Sequence, residues 1–245
     1  MKDWKVLLFH PEGPSLMELV RQAFSSTEKG YDLLAQKFDY TPYRTSDEIL
    51  KVMASEMDKM PMWDSALDIC CGTGAMTEVL LNNTVNRVVG LDISQGMMDV
   101  ARKNLQYHSG KHILEFVQGE ALNLPFESEM DVVTNFGGLG HIMNKNVPRF
   151  LEEVHKVLRP SGKFIIATTE HPPVTSMAFW RAYSFNTFIH LRNKLISPPF
   201  IMYYLTFLLP KLQLQLENVG FTVEIKDNLF PPPFQSLKLV IATKM

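Results

Sequence analysis

Asp68 and Asp92 each close an apolar run, and between them Gly72 and Gly74 interrupt the chain where a strand would give way to a helix. Glycines at such a turn leave backbone that a ligand can approach without meeting a Cβ. Carboxylates beside it suit a cation, an amine or the paired hydroxyls of a ribose. A dinucleotide loop of the Gly-x-Gly-x-x-Gly kind would aim helix N–H groups at a pyrophosphate and would need a third glycine for close packing of helix on strand. Thr77 stands at that third position. His141 follows a second glycine cluster, Gly137, Gly138 and Gly140. With His171 and Tyr43 it is a candidate to take a proton, although a lone histidine is more often structural. No His, Cys, Asp or Glu spacing suggests a metal site, so none is expected.

These side chains need elements to position them. Residues 66–69 read as a buried strand, and 75–81 as the helix that leaves the glycine turn. Strands follow at 87–91, 113–117, 131–136 and 163–169, separated by helices that Ser94 opens and that Phe150, Leu151, Val154 and Leu158 line. Such alternation is the pattern of a parallel sheet with helices on both faces. A helix at 212–219, stopped by Gly220, and strands at 221–226 and 237–243 end the chain. Upstream, 16–24 reads as a short amphipathic helix without evident chemistry, 31–44 is rich in aromatics, and Thr45 with Glu48 suggests a capping box.

The run from Asp68 to Gly74 resembles motif I of the class I S-adenosylmethionine-dependent methyltransferases, Asp-x-Gly-x-Gly-x-Gly, with Cys70 in the first glycine's place. Residues 119–126, Gly-Glu-Ala-Leu-Asn-Leu-Pro-Phe, resemble that family's Gly-Asp-Ala-x-x-Leu-Pro-Phe, with Glu120 for the aspartate. Gly140-His141-Ile142 matches a frequent His-hydrophobic pair, and 158–162 resembles the family's Leu-(Arg/Lys)-Pro-Gly-Gly turn. The resemblance extends to the broad group of quinone-biosynthesis and other small-molecule methyltransferases. It implies an α/β fold: a Rossmann-like, seven-stranded, mostly parallel sheet with helices on both faces, plus an N-terminal cap and a helical lid inserted after strand five. One domain, 1–245, would comprise a cap (1–45), a cofactor-binding core (46–170), the lid (171–211) and the last strands of the sheet (212–245). The implied cofactor is S-adenosyl-L-methionine, with S-adenosyl-L-homocysteine (SAH) as product. Asp68, Cys70, Gly72 and Gly74 would form its loop, Asp92, Ile93 and Met97 its ribose side, and Glu120, Ala121 and Leu122 its adenine side. Asn135 and Phe136 would stand at the end of strand four, Tyr31, Tyr43 and Arg44 would close over the cofactor, and His141 would contact the acceptor.

The insertion is unusual in composition. Between His171 and Leu216 there is no Asp or Glu, while Arg181, Arg192, Lys194 and Lys211 are interleaved with aromatics. An apolar lid of this kind points to a small, hydrophobic acceptor. Trp180 and Tyr204 are expected on its inner face, and Arg181, Arg192 and Lys194 on an outer face that could rest on an anionic membrane. A buried hairpin or a homodimer interface would use the same aromatics.

The chain has 245 residues, 46% of them hydrophobic, and a formal charge of −2. That length can bury one large core, and the near-neutral balance argues against nucleic acid as partner. The two cysteines, Cys70 and Cys71, are adjacent and read as buried hydrophobes in a reducing compartment. Residues 1–9 mix charges and do not read as a leader, and no run reaches the roughly 18 to 20 apolar residues that span a bilayer. A cytoplasmic location follows as the expectation, with membrane contact through 171–211. Two other classes remain open: a nicotinamide oxidoreductase on a related fold, and a non-catalytic S-adenosylmethionine-binding or membrane-associated interaction protein.

Overall fold

The computed structural model describes residues 10–108 and 113–245; the expectation about a leader at 1–9 lies outside them. Seven strands, β1 (Trp63–Ile69), β2 (Thr84–Asp92), β3 (Ile113–Gln118), β4 (Met130–Thr134), β5 (Leu158–Thr168), β6 (Phe221–Lys226) and β7 (Lys238–Lys244), form one sheet in the order β3-β2-β1-β4-β5-β7-β6. The first five run parallel, and β7 pairs antiparallel with both β5 and β6. The mostly parallel sheet predicted from alternation is therefore present.

Alternate residues of each strand enter opposite cores. Leu67, Ile69, Val133 and Phe164 pack with Phe150, Leu151 and Val154 of α6 (Val147–Val157) and Leu212 and Leu216 of α8 (Lys211–Val219). On the other face Ala66, Val88, Val132 and Ile165 meet Met53 and Met57 of α3 (Asp47–Met57) and Met76 and Leu80 of α4 (Ala75–Asn83). Full burial of such side chains stabilises the fold by about 1.5–3 kcal/mol each, which is why the sheet centre can hold its ligand-facing rim rigid.

Several boundaries differ from the expected ones for local reasons. Ser46, not Thr45, caps α3, because its hydroxyl accepts from the N–H of Ile49. A full capping box occurs instead at Ser15 and Glu18, opening α1 (Leu16–Ala23). The turn at 159–162 bulges within β5, which already pairs with β4 at Leu158 and resumes at Lys163. The insertion is half helical: α7 (Met177–Leu195) is followed by an irregular strap, residues 196–210. Among the described residues no helix is long and apolar enough to cross a membrane.

The cap docks on the sheet rim through α2 (Thr27–Leu34), whose Asp32 carboxylate accepts from the Ser94 hydroxyl at 2.6 Å and the Gly96 N–H at 2.9 Å. Both partners open α5 (Gln95–Asn104), so an acid on one helix neutralises the N-terminal dipole of another.

Candidate active site

Strand β1 delivers the chain into the loop Cys70–Gly74, and the backbone there is bent into the left-handed region at Cys70 (φ 57°), Gly72 (φ 54°) and Gly74 (φ 89°). Cys70 thus takes the conformation that a glycine would adopt more easily, at a cost of roughly 1–2 kcal/mol for a residue with a Cβ. Gly138 makes room for it: a Cβ at 138 would lie 2.4 Å from that of Cys70. Gly72 is the opposite case. A Cβ there would meet no atom within 4 Å, because the position faces open space.

That space is a cavity of about 520 Å³ at the carboxyl ends of β1, β2 and β4, the place where open α/β sheets bind ligands. Of the residues singled out in the sequence, Tyr31, Tyr43, Arg44, Cys70, Gly72, Asp92, Ile93, Met97, Phe136 and His141 line it. Asp92 is nearly buried; one carboxylate oxygen accepts from the Gly72 N–H and the other from the Ser94 N–H, each at 2.9 Å. Burial pushes its acid strength down, raising the pKa above the usual carboxylate range, against the pull of those N–H groups.

The other named residues stand behind or beside the wall. Asp68 is fully buried, its oxygens accepting from the hydroxyls of Thr77 at 2.8 Å and Thr134 at 2.9 Å. Its pKa is raised to about 7 by burial, with the threonine hydroxyls opposing and the charge of Asp92 adding to the shift. Thr77, where a dinucleotide loop would carry its third glycine, thus serves a carboxylate. Gly74 packs against Ala101 of α5 and Leu105 at its C-cap. Asn135 is buried and accepts from the Gly138 N–H at 3.1 Å, bracing the turn after β4. Glu120 is exposed, and Ala121 and Leu122 pack on the core just past β3, whose Gln118 pairs with Asp92.

A pair inside the cavity has a defined protonation. The Nδ1 of His141 lies 2.6 Å from the Ile201 carbonyl, which can only accept, so Nδ1 carries the hydrogen. Burial lowers the pKa of His141, with that carbonyl opposing, which leaves the ring neutral and Nε2 an acceptor. Tyr31 is its donor, giving its O–H to Nε2 over 2.8 Å. The Tyr31 pKa is raised by burial and then by the charge of Asp92, so its proton stays on in the resting site. His171 is exposed, bonds the Pro172 carbonyl and does not line the cavity.

The strap supplies wall residues: Tyr204, which the sequence placed on the lid's inner face, and Met202, which it did not single out. Met202 and Tyr204 line the cavity, as does Thr27, whose hydroxyl accepts from the Ile201 N–H at 2.8 Å. Tyr203 donates its N–H to the Gly140 carbonyl at 2.7 Å. Two expectations for the insertion need correction. Trp180 stands 56% exposed on α7 and is absent from the cavity wall, because Phe185 and Ile189 occupy the inner side of that helix. Arg192 turns inward and is nearly buried, since its guanidinium caps main-chain carbonyls of Ala23, Ser25 and Pro198 at 2.7–2.9 Å.

The cavity fits a nucleoside that carries a charged amino-acid arm. Open space over Gly72 admits a ligand atom against bare backbone, and Asp92 offers two fixed oxygens at the end of β2. Ile93, Met97 and Phe38 give an apolar slot, and Arg44, held by Asp47 at 2.7 Å, places a cation in the wall.

Fold and site together define a doubly wound nucleoside-cofactor protein, and comparison with known proteins narrows the class. Residues 66–162 match the methyltransferase domain family. The demethylmenaquinone methyltransferase of Staphylococcus saprophyticus is 31% identical over 174 residues, 68% of this chain and 68% of that protein. That of Lactococcus lactis is 40% identical over 123 residues, 47% of this chain and 46% of that protein, so the chain spans about half the length of this relative. Among solved structures, the DhpI–SAH complex superposes with a TM-score of 0.65 at 17% identity, covering 93% of this chain and 98% of that one. The chain belongs to the class I S-adenosylmethionine-dependent methyltransferases.

Proposed function

We propose that the protein transfers a methyl group from S-adenosylmethionine to a small hydrophobic acceptor of the hydroquinone type, with Tyr31 and His141 taking the proton that the acceptor loses. The observation that carries this reading is the Tyr31–His141 pair within the cavity, at 2.8 Å and with its tautomer set by Ile201. The names of the relatives support the acceptor class, and Met202, Tyr204 and Phe136 make the wall beside the pair apolar and aromatic.

When bound, the cofactor supplies a methyl already activated on a sulfonium. Asp92 would hold the ribose hydroxyls, Gly72 would leave the loop open to the methionyl arm, Arg44 would meet its carboxylate, and Ile93 and Met97 would offer an apolar surface to the base. What remains for the chain is to align the acceptor with the S–CH₃ bond and exclude water, which can lower a barrier by roughly 7–11 kcal/mol. An acceptor hydroxyl gives its proton to the Tyr31 oxygen as Tyr31 passes its own to His141 Nε2. The electron pair freed on the oxygen, shared with the adjacent ring carbon, would attack the methyl carbon as the S–CH₃ bond breaks and its pair returns to sulfur, releasing SAH; transfer to carbon would be completed by loss of the hydrogen that carbon carried, and transfer to oxygen needs no further proton step.

The test is labelled methyl transfer to a reduced naphthoquinone bearing a prenyl tail. Tyr31→Phe and His141→Gln should each lower kcat by about 10²–10⁴ while the fold survives. Because only neutral His141 can accept, wild-type activity should fall as pH drops through a pKa below 6.5, and that acidic limb should vanish in His141→Gln. Full activity in both variants would remove the pair from the reaction. Absence of transfer to any hydroquinone, with S-adenosylmethionine still bound, would favour a non-catalytic binder.

A further inference from the structure

Helix α7 is apolar on two sides about 120° apart. The inner side, with Phe185 and Ile189, packs against Phe200 and Tyr203 of the strap. The outer side carries Met177, Trp180, Phe188, Leu191 and Leu195, with Ser184 completing the row, and these apolar residues range from 56% exposed at Trp180 to 76% at Leu195. At about 100° per residue they fall within an arc of roughly 80° and form a stripe about 27 Å long. Arg181 lies just beyond one edge of that arc and Lys194 beyond the other, both exposed. A surface helix ordinarily turns its apolar stripe inward, and contiguous exposed patches of this kind mark an interaction.

The buried Arg192 enlarges the face. By capping the Ala23 and Ser25 carbonyls it fastens the C-terminal end of α1 beside that of α7. Helix α1 itself exposes Leu16, Met17 and Val20, and Phe24 at its C-cap is exposed beside them. Its acid Glu18 is paired with Lys37 at 2.7 Å.

We infer that the outer faces of α7 and α1 form one docking surface that lies in the plane of an anionic lipid bilayer. The charge pattern selects this occupant. Cations at both edges of the stripe can lay their stems along it and reach headgroup phosphates, and the segment from His171 to Leu216 holds no acid to oppose them. A second copy of the chain would set Arg181 and Lys194 against the same cations. The helix is too polar overall to cross, so it rests at the interface. The segments that follow the two docked helices supply Thr27, Met202 and Tyr204 to the cavity wall. On the reading of a hydroquinone acceptor, which this last point alone rests on, the cavity can draw its substrate from the bilayer.

Flotation of the full chain with phosphatidylcholine vesicles, with and without phosphatidylglycerol, tests the inference. Binding should require the anionic lipid and weaken with salt. Leu191→Glu with Leu195→Glu should abolish it. Arg181→Gln with Lys194→Gln should weaken it on the order of thirtyfold, two cations at about 1 kcal/mol each. Thermal melts and S-adenosylmethionine affinity should be unchanged in these variants, and methyl transfer to a tail-less, water-soluble naphthoquinol should persist, so loss of docking is read apart from loss of chemistry. Wild-type protein that stays off anionic vesicles, or binding indifferent to the leucine substitutions, overturns the inference. So does a wild-type dimer that those leucine substitutions make monomeric, since the face would then belong to a second copy.

Discussion

Asp92 is a carboxylate fixed in the wall of the cavity. Two backbone N–H groups fix its oxygens, and each oxygen retains acceptor capacity toward the cavity. Asp92→Ala should weaken S-adenosylmethionine by about 1.5–3 kcal/mol if its hydroxyls bond to a charged acceptor; isothermal calorimetry measures this, and unchanged affinity in a folded variant would take Asp92 out of the site. This residue was legible because an acid ending the second strand has a place in any ribose site. Asp68 was legible as a motif member but not in its surroundings. Its two threonine partners come from α4 and from β4, 66 residues away in the chain, and nothing local in the sequence joins them. Cys70 departs from the motif by type and keeps to it by conformation, which only the bend at φ 57° and the missing Cβ of Gly138 make plain.

At the scale of elements, the insertion was readable in composition and opaque in orientation. Aromatics spaced all round a helix do not say which of them faces inward. The structure assigns Phe185 and Ile189 to the inner side and leaves Trp180 outside. Charge was equally ambiguous: Arg192 reads as one more surface cation until its five-donor fork is seen closing the ends of two helices. Arg192→Met keeps the stem but leaves the Ala23, Ser25 and Pro198 carbonyls without their donor, at a cost of about 2–4 kcal/mol. The loss should be local. Hydrogen exchange should quicken at 16–25 and 177–200 while the sheet keeps its protection; uniform protection would mean that α1 and α7 are held by apolar contacts alone.

For the whole molecule, the parallel sheet covered on both faces followed from alternating apolar runs, whereas the strand order and the antiparallel pairing of β7 join segments far apart in the chain and came only with the structure. The same burial couples stability to pH. Folded Asp68 has a pKa near 7 against about 3.9 in the unfolded chain, so the native state retains a proton that the unfolded state has lost. Its contribution is full below about pH 4 and is lost as pH rises through 7, up to about 4 kcal/mol in all. Asp68→Asn should flatten that decline in denaturant titrations at pH 4.5, 6 and 8, and parallel curves for the two proteins would show that Asp68 folds ionised. The strap carries a different coupling. Ile201 hangs by its N–H from Thr27 of the cap and by its carbonyl from His141 of the sheet rim. Lifting the strap therefore opens the cavity and, in the same movement, releases the imidazole from the tautomer that lets it accept a proton. If His141 takes the acceptor's proton as proposed, the door and the ignition turn on one key: a strap raised from the cavity would leave that base unset.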